Sequence, residues 1–196
     1  MKPDLQHHNS ILKRIAPYIH RTPVLTSKTL NEAIGAEVYL KSEHLQRMGA
    51  FKMRGATNAA LQLSETQRSK GLVTHSSGNH GQAVALAAQS LGIPSYVIVP
   101  ENAPKSKIDA MRGYGAELTF CEPLIEARDR EARKVAERTG AHFIHPSNDP
   151  DVIWGQGTAA LELLQDHPDL DIVLVAVGGG GLLAGTCLAA KAFNPK

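Results

Sequence analysis

Short apolar runs alternate along the chain with longer segments of helical composition. The runs are rich in β-branched and aromatic residues, which is typical of strands, and they cover residues 38–40, 71–74, 96–99, 117–120, 142–144 and 172–177. The segments between them, such as GQAVALAAQSLG and LIEARDREARKVAERTG, are predicted to be helices. Gly92 and Gly140 stand where left-handed residues would end two of these helices. The alternation predicts an α/β fold in which a parallel sheet is covered by helices.

Composition and charge narrow the class of partner. The 196 residues carry a net charge of +2 with no block of like charge, which predicts no nucleic-acid or anionic-membrane surface. No segment approaches the roughly 20 apolar residues of a membrane span. Cys121 and Cys187 form no CxxC motif, which fits a reducing, cytoplasmic setting. His142 and His145 fall in a strand pattern, so no metal site is predicted there. We therefore expect a small-molecule partner.

Four consecutive glycines follow the last apolar run and precede the small-residue segment LLAGTCLAAKA; they are Gly178, Gly179, Gly180 and Gly181, here called the glycine loop. A strand, a glycine run and a helix can form an anion site, because backbone N–H groups converge on a phosphate at the positive end of the helix dipole. Gly179, Gly181 and Ala184 also match the G-x-G-x-x-A form of dinucleotide-binding proteins, but the acidic residue expected about 20 positions later is missing. A nicotinamide-dependent oxidoreductase and a flexible turn remain as alternatives.

Two other segments contain side chains suited to cofactor chemistry. Lys52 follows Phe51 and precedes small residues, and a neutral lysine amine, favoured by desolvation or by a neighbouring cation such as Arg54, can form an imine with an aldehyde. Most lone lysines are simply exposed. Residues 76–82, SSGNHGQ, lie between a predicted strand and a predicted helix, where they could bind a carboxylate or merely cap the helix.

Together these segments resemble the fold-type II pyridoxal-phosphate enzymes, in the branch of serine racemase and serine/threonine dehydratases. The resemblance covers residues 20–23, 51–56, 76–82, 155–158 and 178–181, in the same order and with similar spacing. It implies pyridoxal 5'-phosphate as the cofactor and two lobes of parallel-rich sheet covered by helices. Residues 1–69 and 149–196 would form a large, incomplete lobe, and residues 70–148 a small lobe.

The resemblance also implies roles for individual residues. The cofactor would be bound by Phe51, Lys52, Asn79, Gly178, Gly179, Gly180 and Gly181. The substrate carboxylate would be bound by Ser76, Asn79 and His80, with help from Arg128. Two residues would act on protons: Lys52 would hold the cofactor covalently and remove the α-proton, and Ser77 would be the second base that serine racemases place on the opposite face.

The activity implied is the removal of water and ammonia from serine, threonine or a similar hydroxy amino acid, which yields a 2-oxo acid. Racemisation of serine through Ser77 could accompany it. By the same resemblance we expect a homodimer of the full-length protein, with no metal ligand in this part of the chain. The sheet is expected to be unfinished at Lys196, so a fragment without catalysis of its own is an alternative.

Overall fold

A computed structural model describes residues 1–195. Its helices are α1 (Leu5–Ile15), α2 (Lys28–Ile34), α3 (Lys52–Gln62), α4 (Glu65–Ser69), α5 (Asn79–Leu91), α6 (Lys105–Gly113), α7 (Ile125–Thr139), α8 (Pro150–Asp166) and α9 (Gly181–Phe193). Short 3-10 helices cover Ala16–Tyr18, Glu43–Leu45 and Arg47–Gly49. The strands are β1 (Val24–Leu25), β2 (Leu40–Lys41), β3 (Leu72–His75), β4 (Ser95–Pro100), β5 (Glu117–Cys121) and β6 (His142–Phe143).

Four strands form a parallel sheet in the order β5-β4-β3-β6. Leu72 of β3 is paired with Ser95 on one side and with His142 on the other. Each of these strands was predicted from its apolar run to within two residues, and α5, α6 and α7 occupy the segments between them. Gly92 and Gly140 end α5 and α7 in the left-handed conformation, with φ of 66° and 72°. The predicted α/β fold with a parallel sheet is confirmed.

Helix α8 packs against both α3 and α9 at unusually short range. A β-carbon on Gly155 would lie 2.7 Å from the backbone oxygen of Arg54, and one on Gly157 would lie 2.6 Å from the backbone oxygen of Gly185. Glycine inside a helix is less stable than alanine by about 1 kcal/mol. Here the absence of a side chain allows the helix backbones to touch, which offsets that loss. The segment GQGT is thereby explained as a packing element.

One apolar cluster continues from these helices into the sheet. It includes Met53 of α3, Leu72 of β3, Val84 of α5 and Val152 of α8, all of which are fully buried. The parallel sheet itself lies wholly within residues 70–148. The division into two lobes at residues 69 and 149 stays a prediction.

The strand predicted at residues 172–177 is absent, and this part of the prediction is wrong. Among residues 1–195 no strand pairs with this segment, and Ile172, Leu174 and Val177 are 74%, 92% and 62% exposed. An apolar run becomes a strand only where another strand accepts its backbone hydrogen bonds.

The strand predicted at residues 38–40 is also displaced. The structure has β2 at Leu40–Lys41 instead, and it pairs antiparallel with β1. There the Val38 N–H donates to Asn31 Oδ1 instead of to a strand.

The part of the chain that the structure describes has no helix long and apolar enough to cross a bilayer.

Candidate active site

Lys52 is the first residue of α3, and its side chain is half-buried. Its Nζ donates a hydrogen bond to the backbone oxygen of Pro146 at 2.7 Å and lies 5.3 Å from the centre of the Phe51 ring. Burial lowers the pKa of the Lys52 amine, because the charged form loses hydration. The neutral amine needed for imine formation is therefore easier to reach here than on an exposed lysine.

Arg54 does not activate Lys52. Burial is the cause of the lowered pKa at Lys52, and the Arg54 guanidinium is engaged elsewhere. Its Nε and Nη2 donate to Glu43 at 2.8 Å each, and its Nη1 and Nη2 donate to Glu162 at 2.9 and 2.8 Å. The sequence offered two causes for a lowered Lys52 pKa, desolvation and the neighbouring cation Arg54. Desolvation lowers the pKa, and Arg54 does not contribute.

The two carboxylates complete a buried network of balanced charge. Lys41 Nζ lies 2.7 Å from Glu162 Oε2, and Thr22 Oγ1 donates to Glu43 at 2.6 Å. Two cations therefore face two anions, and Arg54 and Glu162 are 0% and 1% exposed at the side chain. Bidentate pairs of this kind fix geometry as well as charge. The network ties the beginning of α3, where Lys52 stands, to α8 and to the turn at Glu43–Leu45.

The glycine loop leads directly into α9, which has no side-chain cap. Gly180 is left-handed with φ of 83°. A β-carbon on Gly179 would lie 2.6 Å from Ser147 Oγ, and one on Gly181 would lie 3.0 Å from the Ser147 backbone oxygen. A β-carbon on Gly178 would meet no atom of the described residues within 4 Å. Open space over Gly178 and an uncapped helix end suit a phosphate, since the first-turn N–H groups remain available to it.

Lys52 and the glycine loop meet on two consecutive residues. Pro146 accepts the bond from the Lys52 amine, and Ser147 is in contact with Gly179 and Gly181. The structure thus brings together the Lys52 amine and the glycine loop, which are more than 120 residues apart in sequence. Pro146 and Ser147 were missed by the sequence analysis, because nothing in the segment HPSN marks it as a junction.

The loop after β3 contributes the second group of predicted residues. Ser76 Oγ accepts a hydrogen bond from the Gly78 N–H at 3.1 Å, and Asn79 Oδ1 accepts one from Lys107 Nζ at 2.8 Å. Helix α5 begins after Gly78 without a side-chain cap. Ser77 is therefore not a helix cap, and the N–H groups of the first turn are free to bind a carboxylate.

Comparisons with known proteins decide the family. The family model described as "Pyridoxal-phosphate dependent enzyme" matches residues 15–196. The chain belongs to this family. It is 52% identical over 183 residues to serine racemase from Dictyostelium discoideum, which covers 93% of this chain and 56% of the relative. It is 46% identical over 193 residues to L-threonine ammonia-lyase from Thermotoga maritima, with 98% of this chain and 47% of the relative covered.

A solved structure agrees with the sequence relatives. Maize serine racemase superposes with a TM-score of 0.96 at 46% identity, covering 100% of this chain and 59% of that chain. The chain thus spans about half the length of the curated relatives that it matches. Membership of the pyridoxal-phosphate family confirms the cofactor and contradicts the alternative of a nicotinamide-dependent oxidoreductase at Gly179, Gly181 and Ala184.

His80 lies in the first turn of α5, but its imidazole faces the protein interior. The residue is 3% exposed, and Nε2 lies 3.3 Å from the backbone oxygen of Ile144. Burial, assisted by the nearby charge of Lys52, lowers the pKa of His80 to about 3. The ring is therefore neutral at ordinary pH and donates from Nε2 to Ile144. The His80 imidazole is therefore committed to Ile144, and the substrate-binding role of this residue stays a prediction.

Arg128 lies on α7, close in space to His75 at the end of β3. Its charge contributes to the lowered pKa of His75, which is caused chiefly by burial. The Arg128 Nε is buried and has no hydrogen-bond partner among residues 1–195. A guanidinium with an unused Nε–H donor near the end of β3 is suited to an anion.

The remaining reactive side chains form no further centre in the described part of the chain. Cys121 and Cys187 are free thiols, the first buried and the second exposed. Within residues 1–195 no three His, Cys, Asp or Glu side chains are grouped so that they could hold a metal ion.

Proposed function

We propose that this chain forms part of a pyridoxal-phosphate-dependent ammonia-lyase that removes water and ammonia from L-serine, L-threonine or a similar β-hydroxy amino acid. The observation that carries the proposal is the meeting of the Lys52 amine and the glycine loop on Pro146 and Ser147. Its similarity to a serine racemase and to an L-threonine ammonia-lyase supports the substrate class.

Lys52 would link the cofactor covalently and then act as the base. When bound, pyridoxal phosphate withdraws the electron pair left behind as the substrate α C–H bond breaks. The proton passes to the neutral Lys52 amine, whose lowered pKa keeps that form accessible. The β-hydroxyl would leave as water, with the α-proton held by Lys52 balancing its departure, and the resulting enamine would hydrolyse to a 2-oxo acid and ammonia. The glycine loop would hold the cofactor phosphate, and Phe51 would lie against the cofactor ring.

The substrate carboxylate would bind at the beginning of α5. Its first-turn N–H groups, including that of His80, are uncapped, and the helix dipole favours an anion there. The Ser76 hydroxyl and the Asn79 amide stand in the same loop, and Asn79 would exchange its bond from Lys107 for one to the cofactor or substrate. The Arg128 guanidinium would add a positive charge near the loop after β3.

Racemisation of serine is a second candidate activity, and Ser77 favours it. The half-buried Ser77 hydroxyl stands in the loop that would bind the substrate, yet α5 does not use it as a cap. A hydroxyl that does not cap the following helix would be available to return a proton to the α-carbon from the face opposite Lys52.

Reduction of the cofactor-loaded protein with borohydride tests the assignment of Lys52. The full-length protein that contains this chain should yield a pyridoxyl group on Lys52 by peptide mapping, together with 2-oxo acid and ammonia from L-serine or L-threonine. Lys52→Ala should lose the label and both products. Lys28→Ala is the matched control, because Lys28 is exposed and forms a surface ion pair with Glu32. A label on another lysine in the wild type would show that Lys52 has been wrongly assigned.

We further propose a cytoplasmic setting and a homodimer for the full-length protein. The two free thiols support a reducing compartment, and the dimer follows from the family resemblance. Light scattering of the full-length protein during size-exclusion chromatography measures the number of subunits, and a monomer would refute the dimer.

A further inference from the structure

A tight turn joins the sheet to helix α8. It consists of residues 145–148, with β6 ending at Phe143 and α8 capped by Asp149. Within it the half-buried His145 accepts two backbone hydrogen bonds at Nδ1, from the N–H of Ser147 at 3.1 Å and from the N–H of Asn148 at 2.9 Å. The turn therefore depends on a side-chain acceptor for its backbone conformation.

The same turn carries both halves of the proposed cofactor site. The Pro146 backbone oxygen faces the Lys52 amine at 2.7 Å. Ser147 fills the space that side chains at Gly179 and Gly181 would otherwise need. A shift of this turn would move Lys52 relative to the glycine loop, and misplacement by about 1 Å is enough to lower catalytic rates by roughly 100-fold.

The orientation of the His145 ring is fixed by its neighbours. Its ring stands edge-on to that of Phe143, with centroids 6.2 Å apart, and edge-on to that of His75 at 6.0 Å. An Nδ1 atom that accepts two N–H groups carries no proton, so neutral His145 is protonated at Nε2. The ring thus presents one defined acceptor to the turn.

We infer that His145 is a positioning residue, which holds Pro146 and Ser147 where they align the Lys52 amine with the glycine loop. This role rests on the proposed function in that Lys52 and the glycine loop are the two parts of the chain that bind the cofactor. Neither metal binding nor direct contact with the substrate is needed for it. Any side chain that places an acceptor at the position of Nδ1 should replace His145, and an apolar side chain of similar size should not.

Two variants of His145 distinguish the effect of losing the hydrogen-bond acceptor from the effect of losing the packing of the ring. His145→Asn keeps an acceptor, since Asn Oδ1 can occupy the Nδ1 position, whereas His145→Leu is of comparable size and has none. In the full-length protein, hydrogen exchange at the Ser147 and Asn148 amides should be at least about tenfold faster in the Leu variant and close to wild type in the Asn variant. The dissociation constant for pyridoxal phosphate, measured by visible absorption, should rise about tenfold in Leu, which corresponds to ~1.4 kcal/mol, and less than about threefold in Asn.

Two results would overturn the inference. One is unchanged exchange and affinity in His145→Leu, and the other is an equal loss in both variants, which would assign the effect to ring packing. If the Leu variant does not fold, nitrogen NMR of the wild-type histidines decides, and a proton on Nδ1 of His145 contradicts the role. The exchange measurement is made without cofactor, and the wild type is separately tested for a pyridoxyl group on Lys52. Failure of the proposed function is thereby distinguished from failure of this inference.

Discussion

Replacing Glu162 by glutamine tests whether the buried charge network holds the beginning of α3 in place. Glu162 accepts from Arg54 at 2.9 and 2.8 Å and lies 2.7 Å from Lys41 Nζ, with 1% of its side chain exposed. Glutamine has the same shape but no charge, so two buried cations would face Glu43 alone. The matched control is Asp166→Asn on the same helix, because Asp166 pairs with Arg21 at the surface, where the two side chains are 39% and 50% exposed.

The expected loss of stability follows from this geometry. Removing one partner from a buried ion pair costs about 3–5 kcal/mol, and the oxygen that glutamine retains places Glu162→Gln near ~3 kcal/mol. With a urea dependence of about 2 kcal/mol per M, the unfolding midpoint falls by about 1.5 M. The surface pair of Asp166 is worth less than about 1 kcal/mol, so the control should fall by less than about 0.5 M.

Urea unfolding followed by circular dichroism measures both midpoints. Adding Lys41→Met to Glu162→Gln restores the charge balance between Arg54 and Glu43, so the double variant should be more stable than the sum of the two single losses predicts. Equal midpoints for Glu162→Gln and Asp166→Asn, or strict additivity in the double variant, would refute a network of coupled buried charges.

Two further predictions concern the loop after β3. Ser77→Ala in the full-length protein should abolish D-serine formation from L-serine while it retains much of the pyruvate formation, because elimination takes its proton through Lys52; equal loss of both products, assayed together, would contradict a separate base. His80 is neutral in the fold with a pKa of about 3 and becomes charged on unfolding below its usual 6.5. The contribution of neutral His80 to the free energy of unfolding is therefore fully present above pH ~6.5 and is lost as the pH falls towards ~3. The unfolding free energy of the wild type should fall over that range by up to about 5 kcal/mol relative to His80→Gln, and parallel pH profiles would disprove the buried neutral imidazole.

The sheet was predictable because each of its central strands carries a local signal. The runs at residues 72–75 and 95–100 are almost wholly buried, and a strand buried on both faces reads as a continuous apolar stretch. The run at residues 172–177 has the same signal but no paired strand within residues 1–195. Sequence patterns report what a segment can form, whereas hydrogen-bond partners decide whether it forms.

The candidate site was predictable only in part, for a related reason. The glycine loop could be found because successive glycines are conspicuous in sequence, and Gly180 does adopt a positive φ. The contact between Lys52 and Pro146 joins residues 94 positions apart, and no local pattern encodes it. The same holds for Arg54, whose distant partner Glu162 removes it from the neighbourhood of the Lys52 amine.

Three helices begin at the proposed site, and their N-termini give it a common electrostatic character. Helices α3, α5 and α9 start at Lys52, Asn79 and Gly181, and none has a side-chain cap. Helices α1, α2, α4 and α8 are all capped by side chains, while α6 and α7 are not. Uncapped N-termini favour anions and disfavour cations. The same feature therefore suits both a phosphate at α9 and a carboxylate at α5, whereas the lowered pKa of the Lys52 amine has a separate origin in burial.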